Sequence, residues 1–188
     1  SVVFDSKRDC FYISNFDQGM TMGPGNQFIS RLNRDGTVRE LHWVKGIAQP
    51  LGMVLREDTL YVAERKHIAV INVDSGAVVK RIAIPGAVFP NDITMDDSGA
   101  LYVTDTRKNV IFRAIDDQVE TWLEGTAVDG PNVIYFDRDR ILWGNSNDGC
   151  LKSVDPATKK VIVLANLGTG FIDGIRPDGH GNILVSLW

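Results

Sequence analysis

The sequence predicts an all-β chain, a β-propeller built of four-stranded antiparallel blades. Three observations predict it. One template recurs with the aligned positions Leu51, Asn91, Asn132 and Asp173 spaced 40, 41 and 41 residues apart. Within each copy apolar residues alternate with a period of two, in short β-rich runs bounded by Asp, Gly and Ser. No segment longer than about ten residues carries a helical stripe. A β-sandwich has irregular strand spacing and a β-solenoid has shorter coils, so a four-strand blade accounts best for the period.

The elements follow copy by copy. The repeats span 1–47, 48–87, 88–127 and 128–168, with a half copy at 169–188, in one partial propeller domain covering 1–188. Residues 1–15 match the two leading strands of the template with its front missing. The Gly- and Met-rich segment 16–27 is expected to project as a flexible loop over one face. A hairpin then joins 28–32 to 38–41 around Asp35-Gly36. In the second copy Leu60-Tyr61-Val62 is a strand, and 68–73 pairs with 78–82 around Ser75-Gly76. The third repeats this with Leu101-Tyr102-Val103 and a hairpin of 110–114 and 119–123 around Asp116-Asp117. The fourth joins 151–154 to 161–164 around Asp155-Pro156. Four copies and half of a fifth point to a six-bladed ring, with later blades and a few residues ahead of Ser1 lying outside this chain.

Composition narrows the function classes. The 188 residues are 44% hydrophobic and 23% charged, ordinary for a globular domain and unlike a disordered chain. Apolar runs fall far short of the roughly 20 residues that span a membrane, so no membrane span is expected. A net charge of −4, with no cluster of Lys and Arg, excludes a general nucleic-acid role. Cys10 and Cys150 fit neither a disulfide framework nor a CxxC metal site and are expected as buried small apolar residues.

Residues at one aligned position in successive blades form a ring. Asn91, Asn132 and Asp173 are three oxygen donors in register, just ahead of apolar strands where burial is expected. Buried amides and carboxylates need partners, and a hard divalent cation takes such oxygens. The plainer reading is that Asn and Asp favour the turn entering a strand. A second ring, Asn15, Glu64, Asp105 and Asn145, reads first as turn capping, with Glu64 and Asp105 as further candidates for lining a substrate site. His42, His67 and His180 share no aligned position, so a His-based metal site or a Ser-His-Asp triad has little support. Trp43, Trp122, Trp143 and Trp188 are expected to pack between blades.

The runs P-N-D-I-x-x-D-x-x-G-x-L-Y-V-T-D, G-P-N and I-D-G-I-x-x-D-G-x-G-N resemble the SMP-30/gluconolactonase family of six-bladed propellers, whose strand pattern NHL-repeat propellers largely share. The resemblance implies one divalent metal in the channel, calcium first and zinc, magnesium or manganese as alternatives, bound through a Glu, an Asn and an Asp. It implies the opening of a lactone or sugar-like cyclic ester by a metal-activated water. Residue by residue, Asn132 and Asp173 match the metal ligands, Asp173 doubling as catalytic proton acceptor, and Asn91 matches the Asn near the substrate. The family Glu falls by register immediately before Ser1. Phe89 stands where some members carry a substrate-binding Arg, and Val133 where a Gly usually follows the second Asn. The alternative function is a non-catalytic propeller that binds a protein, peptide or glycan. The low cysteine count and acidic balance lean towards an exported bacterial protein, periplasmic or extracellular.

Overall fold

The structure is a computed structural model that describes residues 1–16, 27–168 and 170–188. These residues form strands and no helix. The projecting loop expected at 16–27 lies almost wholly outside the described residues. The chain divides into two compact units, Ser1–Ala83 and Ile84–Trp188.

The first unit holds two antiparallel sheets. One runs β1 (Val2–Asp5), β2 (Cys10–Asn15), β3 (Phe28–Asn33) and β4 (Val38–Val44). The other runs β5 (Pro50–Arg56), β6 (Thr59–Glu64), β7 (His67–Asn72) and β8 (Ala77–Ala83). The second unit holds β9 (Pro90–Met95), β10 (Leu101–Asp105), β11 (Val110–Ile115) and β12 (Gln118–Glu124) in one sheet. Then come β13 (Pro131–Asp137), β14 (Arg140–Asn145), β15 (Cys150–Val154) and β16 (Val161–Asn166). A two-stranded sheet of β17 (Ile172–Pro177) and β18 (Ile183–Leu187) completes this unit.

Each sheet is a simple meander, and burial grades across it. Middle strands such as β10 and β15 are buried at every residue, whereas β4, β8, β12 and β16 expose most of theirs. The gradient follows position in the sheet more than composition: buried middle strands hold Thr104, Lys152 and Ser153, whereas β16 exposes Ile162, Val163 and Leu164. Tight turns link the strands where the sequence places small or acidic residues. Asp116 and Asp117, with φ of 48° and 67°, make a two-residue turn between β11 and β12, the left-handed geometry that matches strand twist.

In the first unit the core gathers Cys10, Tyr12, Ile29, Leu60 and Ile71, with Tyr12 stacked on Trp43 at 4.6 Å. In the second, Tyr102, Trp122, Ile134 and Trp143 form one cluster, and Val133, Leu142, Ile172 and Ile175 another. Cys10 and Cys150 are both buried. Three tryptophans pack as expected, but Trp188 is 86% exposed.

One irregularity positions everything that follows. The first strand of each of four sheets carries a β-bulge where it meets the second, with one extra residue between Pro50 and Met53, Pro90 and Ile93, Pro131 and Ile134, and Ile172 and Gly174. Leu51, Asn91, Asn132 and Asp173 all lie in those bulges. They therefore sit inside the strands rather than in the turns ahead of them. Proline, lacking an N–H, is suited to opening a strand, so Pro90 and Pro131 start β9 and β13 one residue before the bulge. A bulge twists the strand and re-aims a side chain.

Candidate functional site

In the second unit the bulges bring three predicted residues into one row. Asn91 donates through Nδ2 to Asn132 Oδ1 and, at 2.9 Å, to Thr106 Oγ1. Asn132 donates through Nδ2 to the Ile172 carbonyl at 3.0 Å and to Asp173 Oδ1 at 3.1 Å. Asn132 is nearly buried, Asn91 half-buried and Asp173 exposed.

The network fixes which way both amides point. Ile172 O can only accept, so Asn132 must present its nitrogen there. Thr106 commits its hydroxyl hydrogen to Pro131 O at 2.8 Å, so it must accept from Asn91. All four amide hydrogens of Asn91 and Asn132 are thus used within the chain. What remains is acceptor capacity: Asn91 Oδ1 and Asp173 Oδ2 make no hydrogen bond among the described residues, and Asn132 Oδ1 keeps a second lone pair. The row offers oxygen lone pairs from three consecutive first strands, and no donors.

The wall behind the row comes from β9, β10 and the turn after β10. Thr104 donates to the Asn132 carbonyl at 2.6 Å and accepts from Asp92 N–H at 2.9 Å. Asp92 Oδ2 accepts from Ile134 N–H and Thr94 Oγ1 from Phe136 N–H, each at 3.0 Å. Burial pushes the Asp92 carboxyl above the usual range, against the lowering pull of Ile134 and Ile93 N–H and the Arg176 cation. The sequence reading passed over Asp92. Its signal was present, an acidic residue directly after Asn91 and ahead of a β-branched strand.

Glu64 and Asp105 serve other atoms. Glu64, 3% exposed, accepts from Ala48 N–H and Arg81 Nε, both at 2.8 Å. Asp105, fully buried, accepts from Val88 N–H at 2.7 Å, Phe89 N–H at 3.0 Å and Lys108 N–H at 2.9 Å. Both anchor the loop that leads into a first strand, the capping role read first for their ring, and Asp105 makes no bond to the row. Of the same ring, Asn15 bonds Ser30 Oγ, and Asn145 bonds Ala127 O and Asp148.

No ligand set of three His, Cys, Asp or Glu side chains occurs among the described residues. Any metal here would rest on the amide oxygens and the single carboxylate of the row. Hard oxygens of this kind, with lone pairs left after their internal hydrogen bonds, fit a hard divalent cation.

No family model matches the chain, and no curated protein does. Solved structures do. A structure of a nidogen/laminin complex superposes with a TM-score of 0.79 at 20% identity, over 100% of this chain and 71% of that one. Virginiamycin B lyase from Staphylococcus aureus gives 0.70 at 16% identity, over 93% of this chain and 58% of the lyase. The WD40 β-propeller domain of Doa1 gives 0.73 at 16%, over 98% and 60%. The chain thus spans less than two thirds of the last two. The fold is a β-propeller, and its neighbours have varied roles.

Proposed function

We propose that the Asn91–Asn132–Asp173 row binds a divalent cation, calcium first, through Asn132 and Asp173, and hydrolyses a lactone or similar cyclic ester beside it. The observation that carries this reading is the exhausted donor capacity of the two amides. A row offering only oxygen lone pairs receives a cation or hydroxyl groups, and a polyhydroxylated lactone supplies the latter. The bound cation would lower the pKa of a water and polarise the ester carbonyl. Asp173, exposed and with a free Oδ2, accepts the proton of the attacking water. Asn91, held by Thr106, orients substrate hydroxyls. Asp92, Thr94 and Thr104 keep β13 in place behind it.

Calorimetry of the chain with calcium, magnesium, manganese and zinc is the direct test. At least one should bind, and Asp173→Ala should abolish that binding and lower lactone kcat/KM by about 100-fold or more. Absence of binding by all four metals, or wild-type hydrolysis in Asp173→Ala, overturns the reading. The second reading, a propeller that binds a protein, peptide or glycan without catalysis, is favoured by Phe89 and the 49% exposed Phe171, two residues ahead of Asn91 and Asp173. It gains if no metal binds.

A further inference from the structure

The turn after β10 carries a cation that no acid among the described residues engages. The Arg107 guanidinium lies over the Phe89 ring, 4.6 Å from its centroid, and makes no hydrogen bond or ion pair among the described residues. The platform beneath it is fixed at both ends. Phe89 N–H donates to Asp105 at 3.0 Å, and Phe89 O accepts from Thr106 N–H at 3.2 Å. Thr106 in turn holds Asn91 through its hydroxyl. Arg107 is therefore one residue from a direct hydrogen-bonded neighbour of the row, and its stacking partner is two residues from Asn91. Lys108, next along the same turn, is occupied: its Nζ donates to Gly86 O at 2.8 Å. The row runs from the Asp173 carboxylate through two amides to Thr106, the residue before Arg107.

We infer that Arg107 is a specificity-determining residue that recognises an anionic group on the ligand. This rests on the lactonase reading and deepens it: the substrate is a cyclic ester that carries a carboxylate or phosphate remote from the ester. Its ring lies along the acceptor oxygens, the reacting carbonyl is at the Asp173 end, and the anion is at the Arg107 end. A guanidinium forms charge-assisted, bidentate hydrogen bonds with either anion. Stacking on Phe89 leaves its N–H edge open while restricting its rotamers, so less entropy is lost when the anion docks.

The test compares glucono-1,5-lactone with the corresponding lactone bearing a 6-phosphate or a 6-carboxylate, on the wild-type chain, Arg107→Gln and Arg107→Lys. The anionic lactones should be preferred by about tenfold or more in kcat/KM. Arg107→Gln should raise their KM about tenfold with kcat unchanged and leave the neutral lactone unaffected, and Arg107→Lys should recover part of the loss. Added salt should weaken the preference. Equal turnover of neutral and anionic lactones by wild type overturns the inference and spares the lactonase reading. If no lactone is turned over, the lactonase reading fails, and calorimetry with the open-chain dicarboxylate glucarate decides on Arg107 alone. Binding that Arg107→Gln abolishes supports it, whereas absent binding, or binding the variant retains, overturns it.

Discussion

At Asp105 a single carboxylate does the work of a loop. Its two oxygens take three backbone N–H groups, from Val88, Phe89 and Lys108, at a site with no solvent exposure. An orphaned buried N–H costs about 1–3 kcal/mol, so Asp105→Ala should cost about 3 kcal/mol once some water enters the vacated space. Asp105→Asn should cost less, because Oδ1 alone serves Phe89 and Lys108 and an amide oxygen can replace it there. Urea unfolding of both variants measures this, and a loss under about 0.5 kcal/mol in Asp105→Ala would show that the loop holds itself. The sequence placed Asp105 and Glu64 in one ring but could not show what they hold. Each takes backbone N–H groups from a loop some sixteen residues earlier, and only folding brings a loop amide to a strand-end carboxylate. Asn91, Asn132 and Asp173 were legible for the opposite reason, since a fixed repeat period puts equivalent residues at equivalent places.

Strand β13 shows how an element is finished by side chains rather than by another strand. Its Ile134 and Phe136 N–H groups go to Asp92 and Thr94, and its Pro131 and Asn132 carbonyls receive Thr106 and Thr104. Strand edges left bare invite wrong pairing, and these four side chains satisfy one. The carboxyl in this seam gives it a pH dependence with a definite sign. Asp92 is held above its unfolded value of 3.8, chiefly by burial. Above pH 3.8 the unfolded chain loses that proton while the folded chain keeps it. Stability attributable to Asp92 therefore falls as pH rises from 3.8 through the raised folded value, then levels. Asp92→Asn has no such slope. The stability of wild type minus that of Asp92→Asn, followed by urea unfolding across acid to neutral pH, should decline with rising pH; an increase would show that the bonded N–H groups, not burial, govern the carboxyl. Most of the bounded strands were readable to within a residue or two, as at β11 and β15, whereas β4, expected over 38–41, runs on to Val44. The bulges were not, because an extra residue is a property of register between two strands and leaves no mark on the alternation of either.

At the scale of the whole chain, the 41-residue period made four sheets and a two-stranded remainder legible before any coordinate. It left hidden that the two compact units add different polar ties to the apolar packing between their sheets. In the second unit the seam between the sheets of β9 and β13 adds hydrogen bonds between the β13 backbone and three threonines and the Asp92 carboxyl. In the first unit, the sheets of β1 and β5 share an apolar core and the bond from Ser14 Oγ to the Leu51 carbonyl at 2.7 Å, and an ion cluster is added to these. Arg8, in the turn after β1, reaches Asp5 at 3.1 Å, Asp58 at 2.6 Å and Asp74 at 2.7 Å, while Lys7 meets Asp58 at 2.7 Å. The guanidinium is only 14% exposed, but Asp58 and Asp74 are 45% and 67% exposed, so solvent ions can compete for them. Hydrogen bonds between neutral groups are scarcely screened, whereas exposed ion pairs weaken as the Debye length shrinks from about 14 Å at 0.05 M salt to about 4 Å at 0.5 M. Raising sodium chloride over that range should speed amide hydrogen exchange in β1, β2, β5 and β6 relative to β9, β10 and β13. Arg8→Ala should produce the same acceleration at low salt and abolish the salt response. Equal salt effects on both sets of strands would show that the Arg8 cluster is ornamental and that apolar packing with the Ser14–Leu51 bond joins those two sheets.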